Sequence, residues 1–168
     1  MEDDVRGLAK GGVRPEIPLV RTRLAALWLA TALAAGSASL AQAQDPALTA
    51  AVRDFGTGFT LDSADARVGD FDGDGREDVA GILHGPGNRA LVVFHGSNGG
   101  YVAHPLYAPL PDGEVELRLV PPGNRRVLGP PGVLELSSPA LELVFPGRSS
   151  ALYAWRGGRY HTFGTESH

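Results

Sequence analysis

Cysteine is absent from the 168-residue chain, and lysine occurs once, at Lys10. Without a thiol there is no disulfide, no thiolate zinc site, no cysteine nucleophile and no lipid-modified N-terminal cysteine. Positive charge is scarce as well. Fifteen basic residues face 19 acidic ones, for a formal net charge of −4, whereas a nucleic-acid binder usually presents a basic field. Long hydrophobic runs are also missing. The apolar stretch from Leu24 to Ala35 is 12 residues long and rich in alanine, short of the roughly 20 strongly apolar residues that a spanning helix needs. The length admits one domain, or a small domain and a tail, and excludes a large multidomain enzyme.

Glycine and proline are plentiful, with 23 and 13 residues. Apolar runs interrupt them, so the composition is that of a turn-rich fold rather than of disorder. Residues Arg21 to Ala43 carry the parts of a secretory signal: a cationic flank (Arg21, Arg23), a short apolar core, and small residues ending in Ala41-Gln42-Ala43. Cleavage after Ala43 is expected, with cleavage after Ala41 as the fallback. Residues 1–43 are therefore read as an N-terminal extension plus a separate signal-peptide helix. Residues 44–168 are read as a single mature domain, exported to the periplasm or the outside of a bacterial cell and holding no stable membrane anchor after cleavage.

The mature part reads as mainly β, in antiparallel sheet and hairpins, with a possible short N-terminal helix. Asp45 is placed to cap that helix, Pro46 suits its first turn, and Gly56 stops it. The expected strands are 66–69, 78–84, 89–95, 100–104, 114–120, 132–136, 140–145, 150–156 and 159–163. Gly85-Pro86-Gly87-Asn88 is expected to join one pair. Gly157-Gly158 is expected to form a two-residue hairpin whose glycines take positive φ. Pro121-Pro122-Gly123-Asn124 and Gly129-Pro130-Pro131-Gly132 are expected to bracket a loop with Arg125 and Arg126 at its tip.

Chemistry concentrates in Asp70-Phe71-Asp72-Gly73-Asp74-Gly75-Arg76-Glu77-Asp78. Carboxylates stand at the first, third, fifth and ninth places, with Gly75 at the sixth. Calcium takes six to eight hard oxygen ligands, and alternating aspartates folded around a glycine turn point several carboxylates inward. Asp70, Asp72, Asp74 and Asp78 are the candidate side-chain ligands, Asp78 directly or through a water, and Arg76 would give its backbone carbonyl. The twelfth place is Gly81 rather than a bidentate glutamate, and an apolar β run follows, so the loop is not an EF-hand. A metal-free reading stands beside this one: aspartates in such a turn can cap their own backbone N–H groups.

Val68 to Ala80, with a hydrophobic strand on each side of the loop, resembles an FG-GAP or VCBS repeat. The resemblance implies an aspartate loop between two antiparallel strands that binds calcium, in a family whose tandem copies form propeller blades. It covers residues 66–100 and occurs once, so it implies a single unit and not a closed propeller, which needs about four blades or more. The mature chain also resembles small secreted bacterial proteins of unassigned role.

Weaker signals lie outside the loop. His84, His95 and His104 fall on neighbouring expected strands and suit zinc by chemistry. Without a fixed spacing, partly exposed strand histidines are the plainer reading. Ser137-Ser138 and Ser149-Ser150 adjoin strands without a base placed by spacing. Tyr153, Trp155, Tyr160 and Phe163 make an aromatic hairpin, either core or recognition platform. Together these features lead us to expect an exported binding module with a structural calcium loop and a protein or glycan partner. A small secreted hydrolase with unidentified catalytic residues and a metal-free structural envelope protein are the competing expectations.

Overall fold

The computed structural model describes residues 45–166. The expected signal segment and the boundary at residue 43 lie outside these residues. Helix α1 (Pro46–Phe55) opens the described chain. Asp45 caps it, its Oδ1 accepting the Ala47 N–H at 2.8 Å, with Pro46 in the first turn where its missing N–H costs nothing. Leu48 and Val52, one turn apart, form its buried face. Gly56 ends it in an extended conformation. Among the described residues, no helix is long and apolar enough to cross a membrane.

Eleven strands follow: β1 (Thr60–Leu61), β2 (Arg67–Gly69), β3 (Asp78–Gly85), β4 (Asn88–Ser97), β5 (Gly100–Tyr107), β6 (Glu116–Val120), β7 (Gly123–Arg126), β8 (Val133–Leu136), β9 (Ala140–Val144), β10 (Ser150–Arg156) and β11 (Arg159–Thr165). All pairings are antiparallel. The first sheet runs β1-β3-β4-β5, and β2 shares the outer edge of β3 with β1. The second runs β11-β10-β9-β6, and β7 and β8 form a separate ribbon. The described residues are thus mostly antiparallel sheet with one short α-helix, and form neither a closed barrel nor a propeller.

Alternation along the strands explains the layering. In β3, Ala80 and Ile82 face one way and Val79 and Leu83 the other; in β4, Leu91 and Val93 oppose Val92 and Phe94. Both faces of these two strands are covered, which is why they read as continuous apolar runs rather than as polar–apolar alternation. One face packs with Leu117, Leu141, Leu143 and Tyr153 of the second sheet. The other packs under Leu48 and Val52 of α1. The outer face of the second sheet, with Val120, Leu152 and Ala154, is covered by Leu134 and Leu136 of β8 and by Val127. The order of layers is helix, sheet, sheet, ribbon.

Two expectations need correction. The segment around Arg125 and Arg126 is not a loop tip but strand β7, in register with β8 through Arg125↔Leu134 and Arg126↔Val133. Its four residues are all exposed, so the pattern of buried and exposed residues could not reveal it. Strand β1 was also unforeseen, being two residues long. The expected turns form: Gly85 pairs with Asn88 around Pro86-Gly87, and Arg156 with Arg159 around Gly157 (φ 58°) and Gly158 (φ 82°).

Candidate metal centre

The aspartate loop connects β2 to β3 at one end of the inter-sheet core. Phe71 anchors it, fully buried among the core side chains, and the Ser138 hydroxyl donates to the Phe71 carbonyl at 2.9 Å. Gly73 and Gly75 turn the chain with φ of 79° and 84°, the left-handed region that glycine enters without a steric penalty. Asp70 then collects three backbone donors: Gly73 N–H at 2.7 Å and Asp74 N–H at 3.0 Å on Oδ1, and Gly75 N–H at 2.9 Å on Oδ2. Asp72 Oδ1 accepts from Asp74 N–H at 3.1 Å, and Asp74 Oδ1 from Arg76 N–H at 2.8 Å. The Arg76 guanidinium bonds Asp74 Oδ2 at 2.9 Å and Asn98 Oδ1 at 3.1 Å, tying the loop to the β4–β5 turn. The self-capping pattern is therefore present. It occupies both acceptor positions of Asp70 Oδ1 but only one on Asp70 Oδ2 and on each Asp74 oxygen, and Asp70, Asp72 and Asp74 offer oxygens all within 4.8 Å of one another.

Asp78 forms a second group with one member of that trio, Asp72. It has no exposed surface, and its two oxygens accept from Phe71 N–H at 2.8 Å and Gly96 N–H at 2.9 Å. These bonds brace the base of the loop against β4. Burial is the main cause that pushes the Asp78 carboxyl above its ordinary value, with the Asp72 charge adding to it, while the two backbone donors and His95 pull the other way. Its ligand-distance neighbours are Asp72 and His95: these three residues offer ligand atoms within 4.8 Å of one another, close enough to hold a metal ion. Asp72 belongs to both groups.

His95 is buried on β4. Its Nδ1 stands 3.2 Å from Asp72 Oδ2, and its Nε2 stands 2.7 Å from the Tyr160 hydroxyl on β11. A chain of carboxylate, imidazole and phenol thus joins the loop to the second sheet. His104 of β5 packs on His95 with ring centroids 4.4 Å apart, and Trp155 meets both imidazoles edge-on. Burial lowers the affinity of His104 for a proton, the neighbouring His95 adding to the effect, so the ring favours its neutral form. Tyr160 is pushed well above the ordinary tyrosine range, by burial first and then by the charges of Asp78 and Asp72. It remains a neutral phenol, suited to relaying a hydrogen bond rather than to acting as a nucleophile.

No protein-family model, curated protein or solved structure matches this chain. The site is therefore read from its own chemistry. Of the three histidines weighed together, His95 and His104 converge, and His84 does not. His84 lies at the far end of β3 from Asp78, six residues or roughly 20 Å along an extended strand, and it faces Asp65 at 3.2 Å. The aromatic hairpin divides by strand alternation. Tyr153 enters the inter-sheet core, Trp155 and Tyr160 join the histidines, and Phe163 packs under the ribbon. Among the described residues no serine hydroxyl is hydrogen-bonded to a histidine, and Ser138 is committed to the loop.

The association of His95 with the loop escaped the sequence reading, although a signal for it was there. Counting outward from the Pro86-Gly87 turn places residue 95 opposite residue 78, as the register Val79↔Phe94 shows for the next pair in. Counting from Gly157-Gly158 places Trp155 opposite Tyr160. Nothing comparable brings Tyr160 to His95.

Proposed function

We propose that the protein is an exported binding module whose loop 70–78 holds a calcium ion of structural purpose. The carrying observation is the convergence of Asp70, Asp72 and Asp74 within 4.8 Å of one another in a loop already bent at Gly73 and Gly75. Hard oxygen donors at alternate positions are what calcium prefers, and Arg76 adds a carbonyl in this reading. The ion would join the β2–β3 connection to the Asp78 brace and so stiffen one end of the sandwich. Magnesium fits less well, since it retains water in place of several protein ligands.

A binding role is supported by a groove of about 840 Å³ on the far side of the second sheet, between β6 and the ribbon. Leu128 and Val133, each more than half exposed, line it together with Arg125 and Arg126. Apolar surface left open in this way usually marks recognition, here of a protein or glycan partner.

The test is thermal unfolding with calcium and with chelator. For a site of extracellular type, with Kd near 0.3 mM, about 10 mM calcium stabilises the native state by roughly 2 kcal/mol. The midpoint should then rise by about 5–8 °C in a domain of this size. Asp74→Ala, at an exposed loop position, should abolish the increment. An identical midpoint in calcium and in chelator for the parent protein would overturn the proposal.

A further inference from the structure

We infer that Asp72, Asp78 and His95 form a second cation site, distinct from the calcium loop except for the shared Asp72, and that it takes a first-row divalent metal of the zinc type. The donor set decides the class of metal. An imidazole nitrogen with two carboxylates suits zinc and its neighbours, whereas calcium prefers oxygen alone. The dimensions fit as well. With bonds of about 2.0–2.2 Å, ligands of a tetrahedral zinc stand about 3.4 Å apart; Asp72 Oδ2 and His95 Nδ1 are already 3.2 Å apart, with Asp78 in reach of both.

An independent observation points the same way. A metal-binding histidine commonly has its other ring nitrogen held by a hydrogen-bonding partner, which fixes the tautomer and the ring plane. His95 meets that condition: its Nε2 is 2.7 Å from the Tyr160 hydroxyl, its side chain is 8% exposed, and His104 and Trp155 pack against it. Asp78 is oriented as firmly, each oxygen accepting one backbone N–H and keeping a lone pair free. With a metal on Nδ1, a neutral His95 ring would carry its proton on Nε2 and give the Tyr160 oxygen a hydrogen bond. The metal then joins the loop, β3 and β4, and through Tyr160 the second sheet.

Cobalt(II) is the probe, because it gives visible absorption in zinc sites. The full chain, purified without an affinity tag, is titrated with cobalt in the absence of calcium. The expected result is one cobalt per chain, displaced by one equivalent of zinc. His95→Gln should abolish the absorption, while Asp74→Ala should retain it and lose only the calcium response. This separates the present inference from the calcium reading, which fails or stands on Asp74. Tyr160→Phe keeps the ring and guards against a His95 variant that does not fold; it should weaken cobalt binding by about 10–100-fold. A featureless titration of the parent, absorption that survives His95→Gln, or unchanged affinity in Tyr160→Phe would each overturn the inference.

Discussion

Asp78→Asn probes the brace beneath the loop. The aspartate has no exposed surface and accepts from Phe71 N–H at 2.8 Å and from Gly96 N–H at 2.9 Å. Asparagine keeps the shape and one acceptor, but its NH₂ must face the other backbone donor. A buried donor stripped of its partner costs about 1–3 kcal/mol. One term acts in the opposite direction. Burial pushes the Asp78 carboxyl up, so its ionised form is the one disfavoured in the fold. The stability this group contributes is fully present below its unfolded value and is lost as pH rises through the folded one. A neutral asparagine escapes that penalty near neutral pH, which trims the loss but leaves the unpaired donor. The expected net destabilisation at pH 7 therefore falls in the lower part of that range, about 1–2 kcal/mol, a fall in midpoint of roughly 4–8 °C. Asp78→Ala removes both acceptors and should cost about 2–6 kcal/mol. Urea unfolding in chelator measures both without a metal contribution, and an unchanged slope shows that the unfolded state is not altered. If both variants fell within about 0.5 kcal/mol of the parent, the range of an ordinary surface substitution, the bracing argument would be refuted.

Two further outcomes follow from the same geometry. Gly96→Ala should destabilise by about 1–3 kcal/mol, because an added Cβ would run into the Glu77 backbone carbonyl oxygen; a denaturation midpoint equal to that of the parent would show that the loop base yields freely. Tyr153 is buried in the inter-sheet core, and burial pushes its phenol up to about 12. Its folded value lies above the unfolded one, so stability is intact below about pH 10 and declines toward pH 12. Tyr153→Phe should flatten that alkaline decline by up to about 2.7 kcal/mol in pH-dependent urea unfolding, and an unaltered slope would count against the burial argument.

Features whose causes are near neighbours were legible in the chain. The capped helix, the Pro86-Gly87 and Gly157-Gly158 hairpins and the acidic turn follow from backbone preferences of the residues themselves. Strand β7 was not legible, because Gly123-Asn124-Arg125-Arg126 carries no apolar face and its extended form is imposed by pairing with β8. The spacing of the aspartates likewise described only the part of the site that lies within the loop. It grouped Asp78 with Asp70, Asp72 and Asp74 but gave no sign that Phe71 and Gly96 hold Asp78 by their backbone N–H groups, or that His95 joins it and Asp72.

By itself, then, the sequence determined an antiparallel β protein with one acidic, glycine-hinged connection able to gather carboxylates, since φ preferences, caps and turns act over a few residues. Only the tertiary structure decided that this connection meets a buried histidine whose far nitrogen reaches Tyr160, 65 residues away on the opposing sheet. The physical reason is that the two sheets are held by burial of apolar surface, a non-directional force. Alternation says which side chains turn inward; which of them meet across the interface is settled by the packing of the sheets as whole bodies.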